Sequence, residues 1–277
     1  MADRLFYATP SGRHPTLAYV KSMRDMEMGC RTFERGRDSF AFTCGPVQMA
    51  RTRIADQAVN DGYDFLVMHD DDLWIEAGGP GGNPLDVWHA LFDQHPEVGA
   101  IGAVYLRERP MVPTVTVAHE EHPEECCHVI SGFPFQPVEV ATVATGFMMI
   151  RVSALKATRD DLPWFRFAIK RTFTGSVSEV GEDYDFCTRL RAAGFKVLAD
   201  PRFRTVHMKD TGPLTFSWQH WEDSWKDDSP TLKEQAAALR GAVGATEVRY
   251  INGFVALDHV PQLLADAQAK AERKEAA

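Results

Sequence analysis

A chain of 277 residues, 44% hydrophobic and 25% charged, can bury a full core, which excludes the disordered and collagen-like classes. Its net charge of −9 at pH 7 argues against a surface that holds a polyanion by counterion release, since that affinity needs clustered lysine and arginine. No apolar run approaches the roughly 20 residues of a membrane span or forms a signal peptide at the start, so a cytoplasmic protein with no integral membrane segment is expected.

Over the first 207 residues, short apolar runs alternate with helical patterns, which predicts an α/β fold whose strands are joined by crossover helices in a mainly parallel sheet. Leu5–Thr9 is the first predicted strand, ended by Pro10-Ser11-Gly12-Arg13, and a helix follows from Thr16 to about Met28. Ser39–Thr43 is a second strand. Val47–Asn60 carries Val47, Ile54, Ala55, Ala58 and Val59 at helical spacing, and Asp61-Gly62 ends it. Phe65–Met68 is uniformly apolar, as expected of a strand covered on both faces, and it leads directly to Asp70-Asp71-Asp72.

The Gly/Pro-rich segment Gly78–Pro84 lacks the Gly-Lys-Ser/Thr ending of a phosphate loop and reads as a plain connection. A short helix over Leu85–Gln94 and a strand over Val98–Val104 come next. Arg107–Pro137 breaks the pattern, with only short extended pieces such as Thr114–Val117, and reads as an excursion at the sheet's edge. Within it His119, His122, Cys126, Cys127 and His128 offer donor types suited to zinc, at a spacing that fits no zinc module; a polar loop is the preferred reading. The five cysteines are an odd, irregular set and read as reduced thiols.

Val138–Val143 leads into Ala144–Ile150, and a helix begins at Val152 and runs to about Arg159. Gly181–Cys187 is an acidic helix start, Gly194 closes that helix, and Phe195–Asp200 and Phe203–His207 are extended. The pattern changes after Met208, dividing the chain into a main domain over 1–210 and a tail over 211–277. In the tail, Trp218, Trp221 and Trp225 recur at helical spacing and read as an aromatic face docking on the body, with a sugar-stacking platform as the sharper alternative.

Three carboxylates delivered to the carboxyl edge of a sheet repel one another, and hard oxygen ligands of this kind suit Mg²⁺ or Mn²⁺ with the phosphates of a nucleotide. Negative charge at a helix start is itself stabilising, so Glu182 and Asp183 serve as dipole partners or as a base for an incoming hydroxyl. His207 alone reads as a packed histidine.

The order of the aspartate run after a buried strand, then Ala144-Thr145-Gly146-Phe147-Met148-Met149-Ile150-Arg151, then Gly181-Glu182-Asp183-Tyr184-Asp185-Phe186-Cys187 and Asp200-Pro201 before His207, resembles GT-A glycosyltransferases, in particular the family-2-like group. The resemblance runs from about Leu5 to His207. It implies a nucleotide-diphospho-sugar transferase fold in which Asp70-Asp71-Asp72 is the Asp-x-Asp motif, with Asp72 as direct metal ligand, Asp70 beside the ribose or the metal, and Asp71 as the variable middle residue. It further implies that His207 is a second metal ligand or touches the diphosphate, that Mn²⁺ (or Mg²⁺) is the cofactor, and that Asp183, next to Glu182, is the base of an inverting transfer. Arg51, Thr9 and Pro10 match nucleotide-binding positions, and Thr145-Gly146 matches the turn beside the acceptor. The donor implied is a nucleotide sugar, with UDP favoured; the acceptor class stays open among glycan, small molecule, protein and modified nucleic-acid base. Two rivals are a sugar nucleotidyltransferase, whose Gly-rich signature is absent at Pro10–Arg13, and a non-catalytic nucleotide- or glycan-binding module of the same fold.

Overall fold

The computed structural model describes residues 3–11, 15–33, 46–79, 81–108, 113–118, 126–131, 133–159, 162–171, 177–210, 212–219 and 254–256. In chain order the elements are β1 (Leu5–Ala8), α1 (Leu17–Gly29), α2 (Val47–Asn60), β2 (Phe65–His69), β3 (Leu73–Ile75), α3 (Pro84–Gln94), β4 (Val98–Ala103), β5 (Val115–Ala118), β6 (Cys126–Ser131) and β7 (Val138–Val140). They continue with β8 (Thr142–Val143), β9 (Phe147–Arg151), α4 (Val152–Ala157), β10 (Ala168–Arg171), β11 (Val177–Val180), α5 (Glu182–Ala192), β12 (Lys196–Asp200), β13 (Thr205–Lys209), β14 (Gly212–Phe216) and β15 (Phe254–Ala256).

A six-stranded sheet in the order β1-β2-β9-β4-β12-β7 forms the centre. The pairs β1/β2 and β4/β12 are parallel, whereas β9 runs antiparallel to both β2 and β4, and β7 antiparallel to β12. Four strands therefore point one way, which is the mixed, mainly parallel α/β sheet expected from the alternating pattern. Strand alternation sends Leu66, Met68, Met148 and Ile150 to one face, where they pack with Ile54 of α2, Leu155 of α4 and Phe186 of α5. Phe65, Val67, Phe147 and Met149 go to the other, against Met26 of α1 and Trp88 and Phe92 of α3. Both faces are covered, which is why these strands carry apolar residues at every position.

Helix boundaries follow local chemistry. Thr16 caps α1, its Oγ1 accepting from Tyr19 N at 3.1 Å, and Asn83 caps α3 ahead of Pro84, its side chain accepting from Leu85 N at 3.0 Å. Buried Ser22 joins α1 to β3, donating to the Ile75 carbonyl at 3.0 Å and accepting from the Ile75 amide at 2.8 Å. Helix α2 spans the predicted Val47–Asn60, and its buried face holds Ala50, Ile54, Ala55, Ala58 and also Arg51.

Smaller sheets surround this centre: β14-β13-β3, β15-β6-β5-β8 and the ribbon β10-β11. The segment Val138–Val143 divides between two sheets. Val140 pairs with Val197 of β12, Thr142 pairs with Thr116 of β5, and between them the Ala141 amide donates to the Thr116 carbonyl at 2.8 Å. Residues on either side of the switch are buried alike, so hydropathy carries no trace of it. The extended piece expected over Phe203–His207 instead spans Thr205–Lys209, since Phe203 turns inward against Trp88 with ring centroids 5.8 Å apart. Ser39–Thr43, His119, His122, Trp221 and Trp225 lie outside the described residues. Trp218 packs against the main core and donates from Nε1 to the Phe133 carbonyl at 2.6 Å. Among the described residues Cys30, Cys126 and Cys187 are free thiols, and no helix is long and apolar enough to cross a membrane.

Gly102 in β4 marks a close crossing of the central sheet and β8: a Cβ there would lie 2.8 Å from both γ-methyls of Val143. Gly102→Ala is expected to lower the urea midpoint by an amount equivalent to about 1–3 kcal/mol, the usual range for overpacking. Adding Val143→Ala should recover part of that loss; urea denaturation of the single and double variants checks both statements.

Candidate active site

Every expected site residue within the described structure comes to one edge of the central sheet. The parallel strands β1 and β2 end there, at Thr9 and Asp70. The antiparallel β9 begins there, so Gly146 lies beside Asp70, whose amide donates to the Gly146 carbonyl at 2.7 Å. Helix α5 returns toward β12, and its first residues Glu182 and Asp183 reach the same edge. Crevices at the carboxyl ends of parallel strands are the usual ligand sites of open α/β sheets.

Arg51 is the electrostatic centre. It is buried on α2, and one terminal nitrogen, Nη2, donates to both oxygens of Asp70 at 2.8 and 2.9 Å. The other, Nη1, donates to Oε1 of buried Glu182. Burial works against the charged guanidinium, but Asp70, Glu182 and Asp183 outweigh it and hold its pKa above the ordinary arginine value. Three chain segments, more than a hundred residues apart at the extremes, thus meet on one cation. Arg51 Nε and Thr145 Oγ1 are buried with no hydrogen-bond partner, leaving donor capacity inside the edge.

The aspartate run divides its labour. Asp71 faces the β1 end: its carboxylate accepts from Ser11 Oγ at 2.5 Å, and its carbonyl accepts from both the amide and the hydroxyl of Thr16, each at 3.0 Å. Asp72 faces the opposite way. Its Oδ2 accepts from Lys209 Nζ at 2.8 Å and lies 3.4 Å from His207 Nε2. Burial alone raises the Asp72 pKa, but His207 and Lys209 reverse this and bring it down to about 2. The pairing is fixed by β13, where His207 stands opposite Leu73 and the Met208 amide donates to the Asp72 carbonyl at 2.7 Å. His207 donates from Nδ1 to the Leu106 carbonyl at 2.8 Å, which leaves Nε2 facing Asp72.

Beside this pair opens a cavity of about 580 Å³ whose wall includes Asp183, His207, Tyr105, Arg107, Tyr184 and Lys170. Burial, together with the neighbouring Glu182 charge, raises the Asp183 carboxyl to about 6 in spite of Arg51. Tyr105 packs edge-on against His207, with centroids 5.0 Å apart, and its hydroxyl accepts from the Gly146 amide at 3.1 Å. Gly146 is required by that approach, since a Cβ there meets the Tyr105 hydroxyl at 2.5 Å.

The expected residues therefore form two groups. Arg51, Asp70 and Glu182 are bonded together, and Asp72 faces His207 with Asp183 on the adjoining cavity. Asp70 is committed to Arg51, and among the described residues it does not form a mutual ligand set with Asp72 and His207. Thr9 and Pro10 are buried at the β1 end, where Thr9 Oγ1 bonds to the Tyr19 hydroxyl at 2.5 Å. His69, absent from the expected set, is buried and neutral: burial lowers its pKa to about 4, while Tyr7 donates to Nδ1 at 2.5 Å and Nε2 donates to the Leu73 carbonyl at 2.7 Å. Lys209, Tyr105 and Arg107 were also missed. Lys209 alone carried a signal, standing two residues beyond His207 on the same face of a strand.

No family model and no curated protein matches this sequence. Among solved structures, the chain is similar to A197 from STIV (16% identity over 75% of this chain and 86% of that one, TM-score 0.49). It is also similar to an apo UDP-glucose pyrophosphorylase (8% identity, 85% and 100% covered, TM-score 0.40). A third is a glycosyltransferase involved in the glycosylation of the major capsid of PBCV-1 (14% identity, 58% and 69% covered, TM-score 0.31). At these identities and scores the likeness assigns no activity to this chain.

Proposed function

We propose that this protein is a metal-dependent glycosyltransferase that moves a sugar from a nucleotide-sugar donor, UDP favoured, to an acceptor hydroxyl with inversion. The observation that carries the proposal is the shared cavity wall: a carboxyl with a raised pKa, Asp183, and an imidazole, His207, border one space, and His207 faces Asp72 at 3.4 Å. A general base works best with a pKa near the operating pH, which suits Asp183 better than an ordinary carboxylate. An acceptor hydroxyl in the cavity gives its proton to Asp183 as its oxygen attacks the anomeric carbon, and the nucleoside diphosphate leaves on the far side.

Asp72 Oδ2 and His207 Nε2 are the donor atoms that would hold Mn²⁺ or Mg²⁺. The set fits such an ion, because it pairs a hard oxygen with an imidazole whose other nitrogen is anchored on a carbonyl. When bound, the ion neutralises charge on the diphosphate leaving group. Lys209 already lies on Asp72 and supplies a second positive charge at that position. Arg51 keeps Asp70 and Glu182 fixed, so that Asp70 can face the nucleotide without repelling Glu182.

UDP with Mn²⁺ is expected to raise the melting temperature of the wild-type chain, and excess chelator to abolish that rise, because ligands specific to the native state stabilise it by mass action. Asp72→Asn should remove the metal-dependent part. Absence of a metal-dependent shift with any nucleoside diphosphate would overturn the reading.

Asp183→Asn should keep the UDP and Mn²⁺ shift but cut turnover about 10²–10⁴-fold, the usual contribution of a positioned base. Turnover is read as UDP release from UDP-sugars in the presence of hydroxyl acceptors. Since Asp183 must be ionised to accept the proton and its pKa is raised to about 6, wild-type kcat/KM should climb as pH rises through about 6. An acid limb centred near 4 would remove Asp183 from this role.

A further inference from the structure

The wall of the cavity that Asp183 lines also carries two cationic side chains, Arg107 and Lys170, that form no ion pair among the described residues. Arg107 follows β4 at the crevice edge, and its Nε is buried with no hydrogen-bond partner. Its one hydrogen bond among the described residues runs from Nη1 to His128 Nε2, at 3.3 Å. His128 brings no negative charge: burial, reinforced by Arg107 itself, lowers its pKa to about 4, so the ring is neutral near pH 7. Lys170, on β10, lines the same space and makes no ion pair among the described residues.

Two carboxylates, Glu179 and Asp183, line the same cavity, and neither pairs with Arg107 or Lys170 among the described residues. Glu179 stands exposed on β11, in register with Ile169 rather than Lys170. Asp183 feels Glu182 and Arg51 most strongly. A guanidinium presents five donors in a fixed fork, and a buried donor left unmade costs free energy unless a ligand takes it up. A volume of about 580 Å³ lies within the size range of small-molecule sites and suits a hexose-sized compound with one charged substituent.

We infer that this cavity seats a small hydroxyl acceptor bearing an anionic group, a phosphate monoester or a carboxylate, with the anion on Arg107 and Lys170 and the reacting hydroxyl toward Asp183. The inference deepens the glycosyl-transfer reading and rests on it for the word acceptor. The seat itself rests on the cavity.

Calorimetric titration of the full chain with glucose 6-phosphate, glucuronate and glucose, each with and without UDP and Mn²⁺, tests it. At least one of the two anionic sugars should bind about tenfold tighter than glucose, the scale of charge-assisted hydrogen bonds, and which of them does so separates phosphate from carboxylate. Arg107→Gln and Lys170→Gln should each reduce that preference, with Arg107→Gln bringing the anionic sugar close to glucose while UDP affinity with Mn²⁺ changes less than twofold. Unchanged melting temperatures of both variants show that they are folded. Equal binding of all three sugars overturns the inference. So does a loss of UDP affinity in Arg107→Gln as large as the loss for the sugar, because Arg107 then serves the donor's diphosphate. If UDP fails to bind under any metal condition, the glycosyl-transfer reading falls, while the titrations without UDP still decide whether an anion seat exists.

Discussion

One buried guanidinium holds the crevice together. Without Arg51, the carboxylates of Asp70 and Glu182 would lose the cation that both of them bond. With it, α2, the end of β2 and the start of α5 are fixed relative to one another. Breaking a buried pair of this kind typically costs about 3–5 kcal/mol, because the surviving charge is left uncompensated. The same contact divides the site, since Asp70 is committed to Arg51 while Asp72 faces His207, which lines the cavity.

That division rests on backbone geometry as much as on charge. Adjacent residues at the end of a strand point in different directions, so Asp71 turns to Ser11 and Thr16 while Asp72 turns to Lys209 and His207. β9 inserts antiparallel between β2 and β4 and brings Gly146 to the same edge, where its amide and carbonyl tie Tyr105 to Asp70. Three carboxylates in sequence thus enter three electrostatic environments. Asp72 has a cationic and an imidazole partner, Lys209 and His207, and His207 lines the open space of the cavity.

Much of the scaffold was legible in the sequence because its cause is local. The alternation of buried strands with amphipathic helices announced the α/β class, and Val47–Asn60 could be bounded from apolar spacing and the Asp61-Gly62 stop. Arg51 could have been recognised as buried from the sequence, since it sits among Ala50, Ile54 and Ala55 on the helix's apolar stripe, but its two carboxylate partners are fixed only by long-range folding. The division of Val138–Val143 between two sheets left no mark, because Val140 and Ala141 are buried as fully as Thr142 and Val143. Arg107 was hidden for a different reason. It lies in a stretch without periodicity, and its meaning comes from the neutral histidine and the cavity it faces.

The fastening of Asp71 has a mechanical consequence. Its carbonyl accepts both donors of Thr16, the residue that caps α1, and two turns further on Ser22 of the same helix is doubly bonded to Ile75 of β3. Strand β3 pairs with β13, the strand that carries His207. Aspartate run, helix, short strand and histidine strand therefore form a closed mechanical loop. The spacing of Asp72 and His207 is thus tied, through β3 and β13, to the seating of α1.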